Sequence, residues 1–550
     1  MNPINALPRR VLAALGVAPV VALLMFFFWP TATLLARAID TEALSSTFGR
    51  RGTWNVVWFT LWQAVVSTVV TLALGLAPAY VVARFEFTGR RLLVAVLTAV
   101  FVMPTVVMGA AFLALLPDSL DRTAWAVIGA HVVFNLAVVV RTVGVFWERL
   151  PADIESAAAT LGASPWRVFT TITLPLLRPA LLATASIVFV FTFTSFGVVR
   201  VLGAPGTRTI EVEVWRRATQ LGEIGEAAVL SILQLAVLGA TLGWSSLAQR
   251  RHSRALDLEP AAVRRRARTG IEKRRVGLVS VTTALVCVAP LTALAARSFS
   301  TPSGWSTAAW TRLGRTEVRP GIRLGLDPIA ALGNSVENAA WATLFAVLFG
   351  AIASLAIAAS RRGGRMLDIG LMLPLGTSAV TIGFGMLITF DQAPFDWRAE
   401  WWLVPVGHAL VATPFVVRTA VGVLRSVDPD LQAAATTLGA SPTRAWLAIV
   451  VPFLWRPLAV GAALAAAVSL GEFGATSFLS RSGGETIPIA IEQLVGRTGS
   501  LLQAQGYALA TMLAAITILL VVVVDSTGQM QQRTPPTRLD ALPVDQTGRR

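Results

Sequence analysis

Few side chains in this 550-residue chain have the chemistry to act on a solute or a proton. Glu472 stands in Val468-Ser469-Leu470-Gly471-Glu472-Phe473-Gly474-Ala475, inside an apolar run. A mid-membrane carboxylate costs about 2.5–3.5 kcal/mol to insert, so it should face an interior or a watery path. Two roles fit: a negative charge on the route of a cationic solute, or a carboxylate hydrogen-bonded to a neighbouring helix. Gly471 and Gly474 would let that helix approach closely. His131 and His408 suit paired proton sensing or interfacial hydrogen bonding, and with His252 they show no metal-ligand spacing. Cys287 is alone in an apolar run, which excludes a disulfide and a thiol metal cluster. The chain has no phosphate-binding Gly-x-x-x-x-Gly-Lys-Ser/Thr loop, no Gly-x-Ser-x-Gly and no His-Glu-x-x-His. It is expected to bind no cofactor or metal and to catalyse nothing itself. Energy for any work must come from a separate subunit.

The elements that position these residues are membrane spans. The composition is 55% hydrophobic and 14% charged, with a mean hydropathy of +0.67. Twelve apolar runs approach the roughly 20 residues that cross a bilayer, six before and six after a polar interval. The fold class expected is an all-α polytopic membrane protein of about twelve transmembrane helices in two parallel six-helix halves. The first half covers 1–248, with an elbow near 155–179; the second covers 276–525, with an elbow near 431–457. Residues 249–275 form a basic cytoplasmic linker with ten Arg or Lys, a solvated connector or an anionic-lipid contact. Residues 526–550 are expected to be a disordered cytoplasmic tail. The run after Arg9 and Arg10 lacks a convincing cleavage site and reads as an uncleaved first span. The net charge of +16 falls in short loops on one side. That is the positive-inside pattern of a plasma-membrane protein with both termini cytoplasmic, and it argues against nucleic acid as a partner. Arg141 and Arg418 are expected to snorkel or to brace the elbows, and Trp54, Trp58, Trp62, Trp401 and Trp402 to anchor at the interface.

The most specific local signal occurs twice. Ala157-Ala158-Ala159-Thr160-Leu161-Gly162-Ala163-Ser164-Pro165 returns 277 positions later as Ala434-Ala435-Thr436-Thr437-Leu438-Gly439-Ala440-Ser441-Pro442. An alanine-rich helix stops at a glycine suited to a left-handed C-cap. A serine then N-caps a new helix with proline in its first position. The same offset relates His131 to His408, Arg141 to Arg418, Ser195-Phe196-Gly197 to Glu472-Phe473-Gly474, and Thr209-Ile210 to Thr486-Ile487. The halves are therefore a parallel duplication about an axis along the membrane normal.

Each copy resembles the EAA loop of type I ABC importer permeases: Gly162 is followed after nine residues by Ile172 and Leu174-Pro175, and Gly439 by Ile449 and Val451-Pro452. The family's glutamate falls on Ser156, with Glu155 just before it, and on Ala433. The resemblance implies a fused, two-half permease of a bacterial inner membrane, with two ABC ATPase subunits on its cytoplasmic side and an extracytoplasmic substrate-binding protein outside. ATP would be used by the partner. Coupling would then involve Glu155, Ala157, Ala158, Gly162, Ala163, Ser164 and Pro165, and Ala434, Ala435, Gly439, Ala440, Ser441 and Pro442. Ser195 and its repeat mate Glu472 would lie on the translocation pathway. Phe193-Thr194-Ser195-Phe196-Gly197 and Ser469-Leu470-Gly471-Glu472-Phe473-Gly474 are similar to runs of thiamine permeases, with ferric-iron permeases the alternative. The rival of another class is a twelve-span secondary transporter of the major facilitator kind, which leaves the twin elbows unexplained; a membrane scaffold or receptor is a further one.

Overall fold

The computed structural model describes residues 9–204, 206–252, 264–314, 317–319, 322–323, 325–359, 361–391, 395–497 and 499–532. Nearly all of it is helix, and the strands among the described residues make three short two-stranded pairings. Among the described residues, ten helices are long and apolar enough to cross a membrane: Gly16–Ala38, Arg51–Arg84, Ala124–Glu148, Pro165–Phe193, Ile224–Ala248, Gly270–Arg297, Pro328–Ala358, Leu403–Ser426, Arg444–Gly471 and Ser500–Val523. The two remaining apolar runs are sharply bent pairs, Arg90–Val102 with Thr105–Leu115 at 107° and Gly363–Gly376 with Ala379–Thr389 at 98°.

Packing shows that each bent pair is one broken crossing. Gly75 lies against Val139, and Gly144 against Ala79, so Arg51–Arg84 and Ala124–Glu148 run parallel. The chain between them must return to the opposite side, and Arg90–Leu115 is what makes that passage. The second half repeats the geometry. Ala346 packs with Ala409 and Ala412, Gly350 with Val416, and Ala358 with Ala420 and Leu424. Twelve crossings result, with small residues where parallel helices approach most closely. The first bend falls at Met103-Pro104, where the ring of proline disfavours helix in the preceding residue. At the second the residue in the turn is Ser378, not proline, with Pro374 in the preceding helical turn; Ser378 accepts from the Val380 N–H at 3.1 Å and starts the new helix.

The duplication extends to hydrogen bonds. The Ile210 N–H donates to Thr60 Oγ1 at 2.9 Å, and the Ile487 N–H donates to Ser335 Oγ at 2.7 Å. Within the bent pairs the offset is 274, since Gly197 seats on Thr105 and Val106 as Gly474 seats on Ala379 and Val380. Three additional residues in the second half, between Thr389 and His408, bring the offset to 277.

Several expected boundaries move. The fifth and eleventh crossings are helices that start at the elbow prolines, the first one locally π-helical at Phe169–Thr173, and end at Phe193 and Gly471, followed by short helices Gly197–Leu202 and Thr476–Leu479. Hydropathy misses these breaks because the short helices are themselves buried. The linker is narrower than 249–275: one helix continues to His252 and the next begins at Gly270. Arg265–Arg266 pair in parallel with Phe85–Glu86, and Arg264 meets Glu148 at 2.6 Å, so this end of the linker is docked on the first half. In the tail, helix runs to Gln532; residues 533–550 lie outside the described residues.

Candidate functional site: two elbows and the seam between the halves

Both elbows form as their residues dictate. Helix Ala152–Thr160 ends at Leu161, Gly162 takes φ +83°, and Ser164 accepts from the Arg167 N–H at 3.4 Å. Helix Pro429–Thr437 ends at Leu438, Gly439 takes φ +88°, and Ser441 accepts from the Arg444 N–H at 3.4 Å. Ala157, Ser164, Pro165, Ala434 and Ser441 are exposed; Ala158, Ala163, Ala435 and Ala440 are half-buried. Leu161 and Leu438, not singled out from the sequence, are each 89% exposed. Ile154, Ala157 or Ala158, and Leu161 share one helix face, as do Leu431, Ala434 or Ala435, and Leu438. Each elbow thus presents an exposed apolar stripe beyond the crossing helices. Its spacing of four and seven residues was the available signal.

Glu155 points inward. Its carboxylate takes Arg84 at 3.3 Å and accepts from Thr173 Oγ1 at 2.8 Å, while Arg84 also donates to the Leu150 carbonyl at 3.3 Å. The first elbow is thus braced to the second and fifth crossings. In the second elbow Val450 stands at the position of Thr173, buried with Ala358, Ala420, Leu424 and Leu454.

The repeat-related residues meet within each half. His131 bonds Ser195 Oγ at 2.7 Å. His408 Nε2 lies 3.2 Å from Glu472 and 2.7 Å from Thr476 Oγ1, with its Nδ1 at 2.7 Å from Ser469 Oγ. Both histidines are buried, not interfacial. Glu472 follows its helix instead of sitting within it. It accepts from the N–H groups of Ala475 and Thr476, each at 2.9 Å, and from Thr476 Oγ1 at 2.6 Å. Since Thr476 gives its proton to Glu472, its oxygen accepts from His408 Nε2–H. The next residue reaches the other half: the rings of Phe473 and Phe196 lie 5.0 Å apart, a pair that the two-fold relation maps onto itself. Glu211, buried in the first half, accepts from Gln234 Nε2 at 2.8 Å.

Away from the elbows, Arg217 joins Glu213, Glu226 and Thr53, and Arg50, Arg208 and Arg216 extend the network. Burial alone would raise the pKa of Glu213, but hydrogen bonds and charge from Arg216 and Arg217 outweigh it and hold the carboxyl below its ordinary value. On the elbow side the seam parts around a cavity of about 440 Å³, lined by Leu235, Leu238 and Leu242 of the first half and by Asp368, Met372 and Arg418 of the second.

Two parallel six-crossing halves, each with a protruding elbow, meeting along a seam that is sealed at one end and hollow at the other, define a membrane permease built by duplication. The family model for binding-protein-dependent transport system inner membrane components matches residues 72–252 and 330–534. The chain belongs to that family, in a fused two-copy form, and the major-facilitator alternative falls away. The thiamine transport system permease protein ThiP of Escherichia coli is 24% identical over 487 residues, covering 80% of this chain and 84% of that protein. The putative 2-aminoethylphosphonate transport system permease protein PhnV of Salmonella typhimurium is 32% identical over 203 residues, covering 34% and 74% respectively. The molybdenum transport system permease protein ModB of Escherichia coli is 34% identical over 180 residues, covering 30% and 79%. The similar proteins are transport permeases, in keeping with a transport subunit, not an enzyme.

Proposed function

We propose that this chain forms the pathway of an ATP-driven thiamine importer of the inner membrane. Both termini and both elbows lie in the cytoplasm, where two ATPase subunits dock, and a substrate-binding protein delivers the solute outside. The observation that carries the substrate is the thiamine permease that matches along both halves, whereas the phosphonate and molybdenum relatives each align with about a third of the chain. Docking is supported by the exposed stripes ending at Leu161 and Leu438, with Ala157, Ala158, Gly162, Ala163, Ser164 and Pro165, and Ala434, Ala435, Gly439, Ala440, Ser441 and Pro442, shaping the two elbows. Glu155 takes part in coupling from behind, by stiffening the first elbow. ATP is bound and hydrolysed by the partner alone. When the ATPase pair closes, the elbows carry its motion into the halves, which rock about the seam and expose the pathway to one side, then the other. Ser195 and Glu472 lie beside Phe196 and Phe473 on that seam. The Glu472 carboxylate supplies negative charge where a thiazolium cation passes, while its hydrogen bonds hold it in one orientation.

The test is uptake of labelled thiamine against labelled ferric iron in vesicles holding the chain with its co-purified ATPase and binding protein. ATP-dependent thiamine uptake that falls in Glu472→Gln, with the ATPase still bound, is the expected result. Iron uptake alone overturns the thiamine assignment and leaves the permease standing.

A further inference from the structure

The seal on the side away from the elbows includes three side-chain contacts arranged around the two-fold relation. At its centre Phe196 meets Phe473. To one side Arg200 of the first half reaches Glu492 of the second at 3.0 Å. The contact related to it by the repeat is the Trp215 indole N–H, which donates to the Ser477 carbonyl at 3.4 Å. Arg200 matches Ser477 in the repeat and Trp215 matches Glu492, so the same place on the seam carries an ion pair in one orientation and a neutral contact in the other. Trp215 serves both, since the Arg200 guanidinium lies over its ring at 3.9 Å. One residue therefore holds the cation in place and itself bonds the opposite half.

Exposure distinguishes this pair from the buried ion pairs of Arg217. The Arg200 and Glu492 side chains are 23% and 19% exposed, so water can replace each partner when they part. Arg217 is 3% exposed, and its partners Glu213 and Glu226 lie in its own half; rocking the halves leaves it intact. An ion pair within reach of water is a reversible contact, whereas a buried one resists separation.

We propose that Arg200 and Glu492 form a latch that holds the two halves shut on the side away from the elbows and that must open for the pathway to face that side. This rests on the alternating-access reading above. In the described state the latch is closed while the cavity on the elbow side is present, as expected of a conformation that faces the elbows. Breaking the latch favours the opposite conformation, and the free energy it contributes sets how strongly the resting complex resists opening without a loaded binding protein.

The test uses the full chain with Cys287→Ala, reconstituted in nanodiscs with and without its ATPase. Phe196→Cys is added as a reporter for a bulky, membrane-impermeant maleimide. Glu492→Gln or Arg200→Met should raise the labelling rate about fivefold, the equilibrium factor of a partly exposed ion pair. The charge swap Arg200→Glu with Glu492→Arg should bring it back towards the starting rate. This readout needs no nucleotide or substrate, so it fails or succeeds apart from the thiamine assignment. With the ATPase present, the same single variants should raise hydrolysis in the absence of binding protein and reduce its stimulation by loaded binding protein. Unchanged labelling and unchanged basal hydrolysis in both single variants, with wild-type assembly, overturn the latch.

Discussion

The two halves use one plan and different chemistry. At the outer turn of the first half, Arg217 sits between Glu213 and Glu226; the second half has Leu494, Ala490 and Gln503 at the related positions, with Leu494 and Ala490 fully buried. At the first elbow, Arg84, Glu155 and Thr173 form a polar brace; at the second, an apolar cluster around Val450 fills the space. The reverse holds beside the seam, where Ser195 is neutral and Glu472 is charged. Helix packing and the elbow turns are shared, so they are what the fold requires. The charges are not shared, so the fold does not need them, and they mark where each half has been specialised.

The shared part should break hardest. Gly162 and Gly439 adopt positive φ with open space around them, so a tryptophan at either site strains the backbone by about 1–2 kcal/mol and projects outward into whatever docks there. Gly162→Trp with Gly439→Trp should abolish co-purification of the ATPase while leaving membrane insertion unchanged, as read by affinity capture. The single variants should each fall between. Equal losses would mean that the halves couple alike despite the one-sided brace.

The unshared network should show its cost only when half-removed. Arg217→Ala leaves Glu213 and Glu226 without their buried partner, for an expected loss of about 3–5 kcal/mol, seen as a lower unfolding temperature in detergent. Replacing the set with its second-half counterparts, Arg217→Leu, Glu213→Ala and Glu226→Gln together, should recover most of that loss. A triple variant as unstable as Arg217→Ala would mean that the charges hold the first half in a way the second half never needed.

The sequence made the elbows, the two halves and the number of crossings legible, because each rests on local signals: Gly162 and Gly439, Ser164 and Ser441, and apolar length. It did not disclose the breaks after Phe193 and Gly471, since burial in protein and burial in lipid select the same residues. Neither bend stood out: Pro104 resembles the prolines that other helices carry without a break, such as Pro78, Pro290 and Pro414, and Gly376-Thr377-Ser378 carries only a weak cap signal. His131 and His408, like Ser195 and Glu472, were visible as repeat mates, but the contacts of His131 with Ser195 and of His408 with Glu472 were not, because each pair is separated in the chain by a whole helix hairpin. Leu161 and Leu438 were hidden among the many leucines of a membrane chain, set apart by their place outside the apolar runs and their helical spacing from Ile154 and Leu431.

The smallest effect separates two readings of Glu155. If it braces the elbow, Glu155→Gln loses one ion pair, about 1 kcal/mol at this exposure. Uptake should then drop by about fivefold or less, with ATPase capture intact. Thr173→Val, which copies the second elbow, should do less. The double variant should fall short of the product of the two, because both substitutions act on one carboxylate. A direct contact with the ATPase predicts otherwise: Glu155→Gln alone would weaken capture, Thr173→Val would not, and their effects would multiply. The side chain faces Arg84 and Thr173 while Leu161 faces outward, so the brace should prevail and the apolar stripe should carry the contact.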